Sequence, residues 1–422
     1  MRFLGLLFLL LSVFQSFASF DDWFLNKTLR IDFIHAGDAG SEYFFLDELI
    51  QEPTWDRKKE RLINPFDYGN YRMMAFDSAS GELIYQTSWS SLFYEWQTTE
   101  EAAGIYRSFN ETVLMPFPQT TVRVLFSSRN RMNKWEDKWG IFINPADIMI
   151  SKENSFQCKT RRLAYHGDPS YKLDVVIIAE GYTAGQMRHF RRDAKRFMGY
   201  ILGCEPFSQY RESINFWIVE AHSKESGTDI PGQNIWRQTA VNSHFYTFLS
   251  ERYLTSYDHK TIRHLASNAP YDQILILVNS KKYGGSGFYN FYSMCSAHDP
   301  LSNFVAVHEF GHALAGLGDE YYSSETAFNN FYSLDVEPWE PNLTTLKAFH
   351  KKWKDLVKPG VPIPTPNDGN YENETGAFEG GGYVARGIYR PAVDCSMKST
   401  RYNAFCPVCK RAISAMIEYY TR

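Results

Sequence analysis

Apolar residues between positions 28 and 145 fall in short runs separated by polar turn residues, at 29–34, 71–76, 83–87, 121–126 and 140–143. Runs of this length with such boundaries predict β-strands, and Ser78-Ala79-Ser80-Gly81 between two of them predicts a hairpin connection. Residues 20–155 therefore read as an N-terminal β-sandwich domain. Beyond the polar stretch at 151–155 the pattern changes. The segments 173–179 and 273–278 are unbroken apolar runs of the kind buried on both faces of a sheet, and 214–221 is a third strand candidate. Helices are expected over 184–202 and 242–266, so 160–422 reads as a second domain of α/β type. Its last third is irregular, with a helix over 343–356, a Pro-rich stretch at 359–366, Gly380-Gly381-Gly382-Tyr383 and a closing helix over 407–420. Loops this long inside a compact domain are expected to be binding loops or lids. The fold class is α+β / α/β.

The first eighteen residues stand apart from this pattern. Arg2 precedes the apolar run 3–11, and Ser16-Phe17-Ala18 places small residues where a signal peptidase reads them, so 1–18 is expected to be a signal peptide cleaved after Ala18. The protein is then exported, to the periplasm or beyond. No later stretch approaches the roughly 20 apolar residues of a membrane-spanning helix. The 422 residues carry 44 Lys and Arg against 48 Asp and Glu, a net charge of -4, with no basic run, which argues against a nucleic-acid partner. Six cysteines, at 158, 204, 295, 395, 406 and 409, are an even number in an exported chain, so disulfides or buried thiols are expected. Cys406-Pro407-Val408-Cys409 has the spacing of half a structural metal site, but no second Cys-x-x-Cys or His pair completes four ligands in the sequence. Asn-x-Ser/Thr triplets begin at Asn26, Asn110, Asn342 and Asn373.

The densest chemistry lies at His308-Glu309-Phe310-Gly311-His312. On a helix, residues four apart differ by only about 40° in direction, so both imidazoles face the same way and can hold one zinc ion. Glu309 is turned roughly 100° from His308, beside the metal, and is placed to act as general base on a zinc-bound water. This spacing arises by chance in about one or two chains in a hundred of this length. The context narrows that reading. Phe304, Val305, Ala306, Val307, Phe310, Ala313, Leu314 and Leu317 are apolar on every side, Ser302 is a plausible N-cap, and Gly316 and Gly318 end the helix. Two imidazoles and a carboxylate on a buried helix need partners or a metal.

A third protein ligand is required. Longer zinc motifs place it six residues after the second His; here that position is Gly318, and Asp319 and Glu320 follow it. Asp319 is preferred, as the carboxylate nearest the turn, with Glu320 as the alternative. Upstream, 283–292 is Gly- and aromatic-rich, which suits either an edge strand pairing with an extended substrate or an aromatic hairpin. Downstream, Asp394-Cys395-Ser396-Met397 is a candidate methionine turn beneath the zinc, and Tyr389 and Arg390 are candidates to steady an oxyanion.

The chain resembles the immunoglobulin A peptidase family of bacterial zinc metallopeptidases. The resemblance is carried by the zinc motif continuing into Ala315-Gly316-Leu317 and Asp319-Glu320-Tyr321-Tyr322, and by Lys282-Tyr283-Gly284-Gly285 with Phe288-Tyr289-Asn290. It extends through 176–182, Tyr389-Arg390-Pro391, Asp394-Cys395-Ser396-Met397 and Phe405-Cys406-Pro407-Val408-Cys409, and the first domain shares Thr28-Leu29-Arg30-Ile31-Asp32 and Leu46-Asp47-Glu48-Leu49. It implies a zincin-like catalytic domain, one catalytic Zn2+ on His308, His312 and Asp319, and a protein or peptide substrate, with host glycoproteins as one class. It does not imply that immunoglobulin A is cut. The competing reading is an exported glycan- or protein-binding protein with a structural or vestigial zinc site, and Glu309 separates the two, since a structural site has no use for an unligated carboxylate there.

Overall fold

Strict alternation builds the first half. Tyr71–Asp77 buries every second residue, so Tyr71, Met73 and Ala75 enter the core while Arg72, Met74 and Phe76 lie nearer solvent, as a strand covered on one face requires. The computed structural model describes residues 19–152, 157–322, 331–401 and 403–422; the expected signal peptide at 1–18 lies outside them. After a turn of helix, α1 (Phe20–Trp23), come β1 (Phe24–Gly37), β2 (Glu42–Glu52), β3 (Tyr71–Asp77), β4 (Leu83–Trp89), β5 (Arg107–Pro118), β6 (Val122–Arg129) and β7 (Trp135–Ile143). They form two antiparallel sheets, ordered β2-β1-β5 and β4-β3-β6-β7, with the short helix α2 (Leu92–Gln97) between β4 and β5.

The second half is a six-stranded mixed sheet. Its strands are β8 (Thr160–Ala164), β9 (Leu173–Glu180), β10 (Ile214–Val219), β11 (Gln273–Val278), β12 (Gly285–Gly287) and β13 (Tyr292–Ser296), in the order β12-β13-β11-β9-β10-β8. The central β9, β10 and β11 are buried along their whole length and pair in parallel, which explains their unbroken apolar runs. Helices α3 (Met187–Leu202), α4 (His259–Ala266), α5 (Ser302–Ala315) and α6 (Pro407–Thr421) pack around it, and a two-stranded ribbon of β14 (Phe378–Gly381) and β15 (Val384–Arg390) follows α5. One apolar core runs from the sandwich into one side of this sheet, and the other side packs on α3, α5 and α6. Polar bonds add to the union of the halves: Arg263 of α4 donates to Thr112 of β5 at 3.0 Å, and Asn290 donates to the Ser88 carbonyl at 2.8 Å.

Two expected helices differ. Of 242–266 only α4 is helical, because the buried Glu180 carboxylate takes the backbone N–H groups of Val241 and Ser243, at 2.9 and 3.0 Å, and Asp258 caps the helix from Thr261 N at 3.2 Å. The stretch 343–356 holds only the 3-10 turns Phe349–Lys351 and Lys354–Leu356. There Thr344 bridges Tyr389 in antiparallel fashion, and Glu337 captures the N–H groups of Thr345 and Ala348. On α5 the N-cap is Leu301, and Ser302 is the first helical residue.

Asp174 of β9 and Asp272, just before β11, sit side by side and almost fully buried, with Asp174 N donating to Asp272 Oδ2 at 2.9 Å. Burial pushes both carboxyls up, Asp174 to about 7 against bonds from Trp217 and Asn215, and Asp272 to about 8 against the charge of Arg57. A raised native value means that the folded state keeps a proton the unfolded chain has released. The resulting stability is complete below the ordinary carboxylate value of 3.8 and is lost as pH rises through about 7 to 8. Tm measured across this range should therefore fall with pH in the wild type and fall less steeply in Asp272→Asn. Equal slopes would contradict it.

Candidate metal and catalytic site

Helix α5 runs against β12 and β13 at the edge of the large sheet, apolar on every side, with Phe310 and Leu314 at 0% exposure. Burying each contributes about 2 kcal/mol, which fixes the helix rotation and hence the direction of its polar residues. The last turn is stopped by Gly316 in the left-handed region at φ 60°, its N–H on the carbonyls of Gly311 and His312. The chain then doubles back. Asn342 clamps Gly318 from both sides, accepting from its N–H at 2.7 Å and donating to its carbonyl at 2.8 Å, and this places Asp319 beneath the two histidines. Asn342 is fully buried in doing so, which removes one of the four Asn-x-Ser/Thr sites from the surface.

Three atoms converge. His308 Nε2 and His312 Nε2 are 3.1 Å apart, and Asp319 Oδ1 lies 3.1 Å from the first and 3.3 Å from the second. His308 Nδ1 donates to the Ser396 carbonyl at 2.8 Å and His312 Nδ1 to the Leu317 carbonyl at 2.5 Å. These bonds commit the Nδ1 protons and leave both Nε2 lone pairs directed at Asp319. The other carboxylate oxygen, Oδ2, accepts from Tyr321 at 2.8 Å and Tyr383 at 2.6 Å. Burial alone would raise Asp319, but His312 and His308 hold it well below the ordinary carboxylate value. Burial would likewise lower His312, yet Asp319 and Glu309 bring it to about 9. The protein thus favours positive charge at the point where the three atoms meet. Two imidazole nitrogens and one carboxylate oxygen, each with its far atom fixed by an outer partner and one side facing a cleft, fit a catalytic zinc ion. Glu320, the alternative third ligand, points away into a separate buried cluster with Cys409.

The cleft has a volume of about 240 Å³ and both halves of the chain line it. Glu309 faces it, its carboxyl raised by burial against the charges of His308 and His312. Opposite stand Tyr94 and Glu95 of α2, from the sandwich; the Tyr253 hydroxyl donates to Glu95, whose carboxyl burial raises to about 7. Arg252, Tyr283, Tyr321 and Tyr383 complete the polar lining. Of the sequence candidates, Met397 is fully buried and its carbonyl accepts from Glu320 N at 2.8 Å, so 394–397 forms a turn under the histidines through Ser396. Tyr389 and Arg390 do not line the cleft. Arg390 is 1% exposed and donates to the carbonyls of Glu379 and Gly380, so the oxyanion role expected for this pair is withdrawn. The residues missed in the sequence are the tyrosines that grip Asp319 and the sandwich wall. Tyr383 carried a signal, since it follows three glycines and is itself held at φ 68°.

The stretch 283–292 forms an aromatic hairpin whose first strand, β12, lies at the sheet edge. Its glycines answer to the helix. A Cβ on Gly287 would come within 2.3 Å of the Glu309 carbonyl oxygen, and one on Gly285 within 2.9 Å of the Glu309 carboxylate. Gly287→Ala should destabilise the fold by about 2 kcal/mol through overpacking against immovable backbone. Denaturant titration checks this, and wild-type stability would show that the strand is free to move.

A family model described as IgA Peptidase M64 matches residues 162–372 and 367–417, and one described as Peptidase M64 N-terminus matches residues 19–140. No curated protein matches the chain.

Proposed function

The chain belongs to the IgA Peptidase M64 family, and from that premise we propose that it is an exported zinc endopeptidase, with His308, His312 and Asp319 holding the metal and Glu309 moving the proton. A peptidase of this family is the coarser statement; the metal, the residue roles and the position of the cut are the proposal. The observation that carries it is the meeting of His308 Nε2, His312 Nε2 and Asp319 Oδ1 within 3.1–3.3 Å, with both Nδ1 atoms already engaged.

A zinc ion bound there supplies Lewis acidity, easing deprotonation of water and polarising the scissile carbonyl. The chain's own groups do the rest. Glu309 takes a proton from the attacking water and returns it to the leaving amine, a role that its desolvated carboxyl suits because its proton affinity is raised. The carbonyls of Ser396 and Leu317 fix the two imidazoles, while Tyr321 and Tyr383 fix Asp319, so the ligands need little reordering. β12 at the sheet edge offers backbone to an extended peptide beside Glu309. The substrate is a protein or peptide, and export by the 1–18 segment puts it outside the cytoplasm.

Digestion of a panel of denatured proteins tests this reading. Internal cleavages should appear, stop on chelation and return with added zinc. Cleavage indifferent to chelation would remove the metal from the mechanism, and release of terminal residues alone would make the enzyme an exopeptidase.

A further inference from the structure

Behind the catalytic turn lies a second group of metal-ligating side chains. Glu320, Cys395, Cys406 and Cys409 bring their ligand atoms within 4.8 Å of one another, and none of the four residues is more than 4% exposed. They come from three separate segments: the loop after α5, the turn at 394–397 and the N-terminus of α6. Cys395 Sγ and Cys409 Sγ are 3.9 Å apart, and Cys409 Sγ is 3.2 Å from Glu320 Oε1. A tetrahedral ion with Zn–S bonds of about 2.3 Å separates its sulfurs by about 3.8 Å.

The surroundings are those of a metal site. The N–H of Cys406 points at Cys395 Sγ at 3.3 Å and the N–H of Cys409 at Cys406 Sγ at 3.5 Å, the donors that stabilise thiolates. Cys406 is the N-cap of α6, where the helix favours negative charge. Asn342 Nδ2 donates to Glu320 Oε1 at 2.9 Å and fixes that carboxylate, while Oε2, fully buried, has no hydrogen-bond partner among the described residues. Arg390 sets a buried positive charge against Glu320. Four buried acidic groups with one unpartnered oxygen are costly as bare thiols and carboxyl, and a soft divalent cation satisfies them together. The complete burial also rules out redox exchange with a partner protein through Cys406-x-x-Cys409, since no thiol is accessible.

We propose that Glu320, Cys395, Cys406 and Cys409 bind a structural zinc ion, distinct from the ion on His308 and His312. Binding releases the thiol protons to solvent. The ion ties α6 to the two loops that form the floor of the catalytic site, because Glu320 adjoins Asp319 and Cys395 adjoins Ser396, whose carbonyl orients His308. The sequence showed Cys406 and Cys409 as half a site; the missing ligands are 86 and 11 residues before Cys406, beyond what motif spacing can reveal.

The test uses the full mature chain purified under reducing conditions with zinc and then desalted. Metal analysis should find two ions in the wild type and one in His308→Ala/His312→Ala, whose cluster is untouched. Cobalt loaded into that double variant should give a sulfur-to-cobalt charge-transfer band, which a His/Asp site cannot produce, and Cys395→Ser on the same background should lose both band and ion. If the double variant binds no metal, or binds cobalt without the band, the proposal is overturned, and an intact mass lower by two hydrogens would identify a disulfide in its place. If instead the wild type holds one ion that shows the band, the second site stands and the catalytic zinc reading fails.

Discussion

Glu309→Gln is expected to lower kcat by roughly 10²–10⁴-fold, the usual contribution of a positioned general acid or base, with KM and metal content unchanged. The substitution keeps the shape of the side chain, which matters because α5 is pressed against β12: Gly285 has no room for a Cβ beside the Glu309 carboxylate. It removes only the ability to take and return a proton. His308 and His312 keep their Nδ1 bonds to the Ser396 and Leu317 carbonyls, so the ligand geometry has no reason to change. Steady-state cleavage of a fluorogenic peptide together with metal analysis separates the outcomes. Unaltered kcat would transfer the proton to another group lining the cleft, of which Glu95 is the other raised carboxyl, and a loss of metal in step with activity would make Glu309 a ligand.

What the sequence made legible follows from how local each feature is. β9, β11 and the core of α5 could be read because burial on both faces leaves an apolar run with no need of a partner's position. β2 and β5 escaped: β2 is broken by a bulge against β1 between Asp32 and Phe33 and exposes residues out of alternation, and β5 ends in two prolines within four residues. The expected helix over 242–266 failed for a nonlocal reason, since Glu180, some sixty residues earlier, takes the N–H groups the helix would have used. The site divides along the same line. His308, Glu309 and His312 share one helix and show themselves by spacing, whereas Tyr383, Glu95 and Cys395 reach their places through tertiary packing that no spacing encodes.

The adjacent carboxylates Asp319 and Glu320 illustrate the point most sharply, because one backbone turn sends them to different chemistry. Asp319 lies under the imidazoles, with Oδ2 held by two tyrosines and Oδ1 facing both Nε2 atoms, while Glu320 points among the cysteines. Asp319→Ala should therefore abolish cleavage and weaken metal at the histidines beyond the roughly 10–100-fold that loss of an outer partner costs, since it deletes a ligand and leaves Tyr321 and Tyr383 facing a gap. The sulfur-to-cobalt band of the cluster should survive. Glu320→Gln should do the reverse, keeping the histidine site loaded and weakening the band. Metal affinity, cobalt spectra and peptide cleavage measured on both variants decide the matter: if Asp319→Ala keeps its histidine-bound metal and Glu320→Gln loses it, the third ligand is Glu320 and the turn after Gly316 is drawn one residue out of register.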